Sequence, residues 1–414
     1  MISRALSTAI CVAAGLPLFL IQHPSLAVDG TPFWFESTVS EPGGAISSPV
    51  LAFNHFGTPS VSWSSSTAGI DTVYRSERLG LGLWAHREVA SGPTAGMQTA
   101  LSFDRAERPT VAWIDGNGHV KAEFDNSGVH VSVANGADTV NPVLSISHDL
   151  AGNLRGLFTG TAAGDLFDIG SVGGAFSSSS LTTLSGIDEV LDARLTTDHS
   201  GLRHVVARVQ PESGSGQSVV IASEPSFDGP WPSLALTTAD EVHGIGINTD
   251  PTDGNVALSY TTYDTATNTS KLFYAKFNGF ALEATEVLSS TTAIFYDVDL
   301  AFDLSDGRPA IAFEREVVSP LAEELVFAYL DGASQWQTSL VDDSISISSS
   351  LGGLRRPSLA FDDFGTSWPA IAYIDADESL NVAFDPPVPV PEPGTAGLMA
   401  AGLVILSGRS RRRR

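Results

Sequence analysis

Short apolar runs alternate with polar turns along most of this chain, a pattern of strands and not of helices. Arg356–Phe384 shows it best. Leu359-Ala360-Phe361, Ala370-Ile371-Ala372-Tyr373 and Leu380-Asn381-Val382-Ala383-Phe384 read as three strands. Asp362–Pro369, between the first two, carries the Asp, Gly and Pro of a tight turn.

The same unit recurs upstream. Aligned on its first apolar run, the chain has seven copies, anchored at Leu51, Leu101, Leu144, Leu195, Ile247, Leu300 and Leu359. Their spacings of 50, 43, 51, 52, 53 and 59 residues suit a four-stranded propeller blade. Third strands are expected at Val120–Phe124, Val219–Ala222, Leu272–Lys276 and Leu325–Tyr329. Fourth strands that open on an aromatic are expected at Trp84–Val89, Trp231–Leu236, Phe280–Leu288 and Trp336–Val341, the ring packing between blades. The seventh copy lacks a fourth strand, because prolines follow Asp385 and cannot join a ladder. Phe33–Val39 has the alternation of the missing strand and precedes the first copy. The pattern therefore predicts an all-β fold, a seven-bladed β-propeller over residues 28–385, with residues 32–40 completing the last blade. An open solenoid would need capping repeats instead.

The two ends differ in composition. Residues 1–27 combine Arg4, an apolar run from Ala5 to Ile21 and the small-residue site Ser25-Leu26-Ala27, the pattern of a cleaved secretory signal peptide. The single cysteine, Cys11, falls inside it, so the mature chain has neither disulfide nor thiolate ligand. Residues 386–394 form a proline-rich linker. Residues 395–414 hold an apolar segment, Thr395–Ser407, short for a transmembrane helix, and then Arg409 and Arg411–Arg414. Six of the 22 basic residues and one of the 47 acidic ones lie in these ends, which leaves sixteen basic against 46 acidic residues in the body. Such a surface argues against nucleic acid as a partner.

The order Pro391-Glu392-Pro393, apolar segment, basic cluster resembles the PEP-CTERM sorting signal of exported bacterial proteins. The resemblance implies processing by an exosortase, a membrane enzyme that cuts near the tripeptide. It also implies transient anchoring in the inner membrane before release to the cell surface or medium. It says nothing of the body's activity. Asp363-Phe364-Gly365-Thr366-Ser367-Trp368 is similar to the Asp-box hairpin of sialidase-type propellers, although Phe361 replaces the small hydroxyl residue usual there. In that family the box is structural. The catalytic arginine cluster and acidic–tyrosine pair of the family have no assignable counterparts here.

No cofactor is indicated. The histidines lack zinc-ligand spacing, no glycine-rich phosphate loop leads from a strand into a helix, and acidic turns such as Asp303–Gly307 hold too few oxygens for calcium. Propeller geometry puts the residues after the second strands on the face that usually takes ligands. Asp115, Asp264 and Asp375 fall there beside Trp113, Tyr263 and Tyr373, with Arg355 and Arg356 entering the last blade. Such a set suits a sugar or a cation; an acidic rim over packed aromatics is the alternative. Sequence alone thus favours a non-enzymatic binding module with a polysaccharide or protein partner. The rival is a carbohydrate-active enzyme, a glycosidase or lyase, using carboxylates on that face.

Overall fold

The computed structural model describes residues 34–385, apart from 41–43, 81, 97, 150, 163–164, 173–174, 182–186, 213–215, 225–230, 278–280, 346, 348–354 and 363–366. The expected signal peptide, linker and sorting segment, Phe33 and most of the Asp-box-like turn lie outside the described residues.

Among the described residues, twenty-eight strands form seven four-stranded antiparallel sheets. Six are consecutive in sequence. Blade 1 runs Ala45–Phe53, Pro59–Thr67, Ile70–Gly80 and Leu83–Gly92, and blade 6 runs Ala293–Phe302, Pro309–Val318, Leu321–Leu330 and Trp336–Asp342. Blade 7 takes three strands from the end of the chain, Ser358–Phe361, Pro369–Ile374 and Leu380–Phe384. Its outer strand is Phe35–Ser40, paired antiparallel with the third so that Phe35 faces Phe384. The innermost strands of successive blades touch, and that of blade 7 touches that of blade 1, so the ring is closed. The protein is a seven-bladed β-propeller, and closure removes the edges that an open array would expose.

Both faces of each sheet are covered, which is why the strands read as apolar runs and not as strict alternation. The core consists of seven apolar layers, one between each pair of neighbouring blades. Alanines such as Ala112, Ala193, Ala312 and Ala372 are fully buried in the first or second strands of their blades, where neighbouring sheets lie close and small side chains fit. Two of the four expected aromatic openers join blades, as does Trp34 beside the closing strand; Phe280 lies outside the described residues. Trp84 donates to Ser37 Oγ (3.0 Å), Trp34 donates to Ser339 Oγ (3.2 Å), and Trp336 packs on Tyr274. Trp231 differs: its strand begins at Ser233, and its ring lies under the Arg203 guanidinium of its own blade.

An Asp or Asn follows every inner strand at the same place: Asn54, Asp104, Asp149, Asp198, Asp250, Asp303 and Asp362. In the first four, Oδ1 accepts the amides two and four residues on, as in Asp149 with Ala151 and Asn153 (both 2.9 Å). The side chain thereby fixes the turn that reverses the chain at the lower face. This position corrects the third copy of the repeat. Asp149 lies three residues after Ile146, which pairs with Gly156 as Leu51 pairs with Val61, so Ile146 and not Leu144 is the equivalent residue. A two-residue offset keeps the same side chains facing inward and left the apolar pattern unable to tell the two apart.

Candidate functional site

The carboxylates expected on the upper rim are built into turns. Asp115 Oδ1 accepts the amides of Asn117 (2.9 Å) and His119 (3.0 Å), and its Oδ2 meets Lys121 Nζ at 2.8 Å. Burial opposes its ionisation, but the bonds from Lys121 and His119 outweigh that and hold its carboxyl below the usual range. Asp375 accepts Asp377 and Ser379 amides (2.9 Å each) and Asn381 Nδ2 (2.7 Å); Asp264 accepts the amides of Ala266 and Thr267. Trp113 and Tyr373 are buried, and burial with Asp342 and Glu36 nearby pushes the Tyr373 hydroxyl far up. Tyr263 stacks on His243 and donates to Asn268 Oδ1. Each of the three carboxylates is thus engaged within its own turn. Trp113 and Asp115 line one cavity, about 200 Å³, between blades 1 and 2.

The two arginines of the expected set lead elsewhere, to the upper mouth of the axial channel. Inner strands there are irregular: the register shifts between Val190 and Asp192 in blade 4, Val242 and Gly244 in blade 5, and Phe295 and Val298 in blade 6. A bulge frees backbone groups from the ladder and re-aims side chains. The freed carbonyls of Val242 and His243 accept from Arg208 Nη1 of blade 4, at 2.8 and 3.2 Å. Gly244 permits the close approach of blade 6, since a Cβ there would lie 2.8 Å from the Asp297 backbone.

Charges from three blades meet in this mouth. Arg194 holds Asp192 in a two-pronged pair (2.5 and 2.8 Å), and Arg356 Nη1 lies 3.5 Å from the same carboxylate. Asp192 belongs to blade 4 and Arg356 to blade 7, three places apart in a ring of seven, so this contact crosses the channel. Arg355 pairs with Glu378 (3.1 Å). On blade 6, Asp297 sits in the bulge beside Glu314 of the second strand. Glu314 is buried and Asp297 half-buried, and neither accepts a hydrogen bond among the described residues. Burial pushes Asp297 up to about 6 against the pull of Arg208 and Arg194. Burial, then the repulsion of Asp297 and Glu323, pushes Glu314 well above the carboxylate range. Asp299 rises to about 6 through burial, although it accepts the Leu359 amide of blade 7 at 2.7 Å. The mouth thus holds protonatable carboxyl groups beside fixed guanidinium charges.

Sequence reasoning found Arg355 and Arg356 and missed the rest. A signal existed: Asp192, Asp297 and Arg356 stand three residues before their anchors, and Arg194 and Asp299 one before, in strands that are otherwise apolar. Among the described residues no group of three or more His, Cys, Asp or Glu side chains is placed to hold a metal ion.

No family model and no curated protein matches the chain. Solved propellers do. An oligogalacturonate lyase in complex with manganese aligns over 85% of this chain and 93% of its own at 8% identity, TM-score 0.57. A protein of unknown function from Dyadobacter fermentans aligns over 84% and 97% at 9% identity, TM-score 0.51. AofleA from Arthrobotrys oligospora aligns over 75% and 90% at 11% identity, TM-score 0.47. At such identities the likeness is one of fold alone.

Proposed function

We propose that this protein is an exported cell-envelope module that binds a surface polysaccharide or protein without transforming it. On this reading residues 1–27 direct export, and an exosortase processes the tail near Pro391–Pro393. The observation that carries the proposal is the placing of the ends. Phe35 pairs with Phe384, so the chain enters and leaves the propeller side by side at its lower face. A tail attached there presents the upper face, with its charged channel mouth, away from the membrane. A non-enzymatic role also agrees with the rim carboxylates being committed to their own turns.

One observation favours a second reading, a carbohydrate-active enzyme. Asp297 and Glu314 are neighbouring carboxyl groups whose raised pKa values suit acid–base chemistry. Exposing the purified protein to a glycan array and to a hydrolysis and lyase screen separates the two. Binding without turnover is expected. Turnover abolished by Asp297→Asn or Glu314→Gln would overturn the module reading.

A further inference from the structure

A groove lies where the ring is closed, between the outer strand of blade 7 and blade 1. Its volume is about 610 Å³, within the range of small-ligand sites, roughly 300–1,000 Å³. Trp63, Tyr74, Trp84 and His86 line it from blade 1. Three of their polar atoms are engaged. Trp63 Nε1 donates to Ser76 Oγ (2.9 Å), the same hydroxyl meets His86 Nδ1 (2.9 Å), and Trp84 Nε1 donates to Ser37 Oγ (3.0 Å). Trp63 and Tyr74 stack, 4.3 Å between centroids and 19° between planes. These rings are held in fixed orientations, so a ligand would not have to order them.

The rest of the lining is hydroxyl and aliphatic. Ser65 and Thr67 stand at its upper end, Thr38 and Ser40 on the closing strand, and Leu83, 65% exposed, at the lower end. Gly44 keeps the upper end narrow: a Cβ there would lie 2.3 Å from Thr67 Oγ1 and 2.7 Å from the Ser66 carbonyl. No Lys, Arg, Asp or Glu is among the described lining residues, in a chain of net charge −25.

That composition selects a ligand class. A phosphate, uronate or ammonium would enter a partly desolvated space in which no described Lys, Arg, Asp or Glu meets it. A wholly apolar ligand would cover serine and threonine hydroxyls without bonding them. A pyranose offers both an apolar C–H face for a ring and a rim of hydroxyls, and carries no charge. The groove also runs along the strands, from Thr67 at one end to Leu83 at the other, and so suits several units in a row. We infer that it binds a segment of neutral oligosaccharide. This rests on the module reading only for the role of the bound glycan.

The test uses the purified full-length chain and four probes: cellotetraose, maltotetraose, tetragalacturonate and a chitosan tetramer, followed by calorimetry and tryptophan fluorescence. A neutral tetramer should bind and perturb the fluorescence, and the charged probes should not. Trp84→Ala should weaken binding at least about tenfold, as expected for the loss of an aromatic anchor. Trp84→Phe should keep the affinity within about threefold, because the ring contact outlasts the loss of its N–H. His86→Ala, at an exposed position, provides a variant that does not disturb the core. No binding of either neutral probe, binding of charged probes alone, or neutral binding indifferent to both Trp84→Ala and His86→Ala overturns the assignment. In the last case a glycan-binding module survives with its site elsewhere. Turnover of a bound probe would instead remove the module reading and leave the groove standing.

Discussion

Replacing Asp297 with Asn should stabilise the protein, and only above acid pH. Burial moves this carboxyl from 3.8 to about 6. Between those values the folded chain holds a proton that the unfolded chain has released, so stability falls as pH rises through the interval. Two units correspond to roughly 3 kcal/mol at most, and the pull of Arg208 and Arg194 is already contained in the net shift. Asparagine has nearly the same shape and cannot ionise. The variant should match the parent near pH 4, pull ahead between pH 4 and 7, and stay more stable at pH 8 by no more than about 3 kcal/mol. Removing one charge also lowers the repulsion on Glu314, which acts in the same direction. Urea unfolding at pH 4.5, 6 and 8 measures the effect as a shift in midpoint at unchanged slope. A variant as destabilised at pH 8 as at pH 4.5 would show that Asp297 is an ionised, well-paired carboxylate, and the account of the channel mouth would fall with it.

Asp149→Ala should cost about 3 kcal/mol at neutral pH, since the carboxylate accepts two turn amides, Asn153 and Arg155. Burial pushes this carboxyl up, but those bonds outweigh it and hold it below the usual range. Its contribution is therefore present at pH 7 and lost as pH falls below about 4, so thermal midpoints of parent and variant should converge in acid. Deleting Thr31–Ser40 should leave Leu380, Val382 and Phe384, all fully buried in the intact blade, beside an open sheet edge. Gel filtration should then show association; a monodisperse variant with unchanged melting would refute the role of the closing strand. On the proposed sorting, mass spectrometry of protein recovered from the cell surface or medium should find a C-terminus near Pro391–Pro393, whereas an intact Arg414 would make the tail a plain membrane anchor.

Architecture was legible from the amino-acid pattern because it rests on local chemistry repeated seven times. Each blade declares its strands through apolar runs and its turns through Asp, Gly and Pro. The shortage of one strand at the end of the chain matched a surplus at its start, and Phe35–Ser40 closes the ring as that matching implied. What escaped was whatever depends on register or on distance across the ring. A two-residue slip preserves the inward face, so Leu144 and Ile146 could not be distinguished until the Asp149 turn was seen in place. Bulges at Leu191, His243 and Tyr296–Asp297 leave no compositional mark, yet they help shape the channel mouth. Asp192, Asp297 and Arg356 are far apart in the chain and meet only because seven blades converge on one axis. The groove likewise exists only after the first strand has docked beside blade 1. Periodicity records which neighbours each strand has; tertiary closure alone decides which distant side chains share a space.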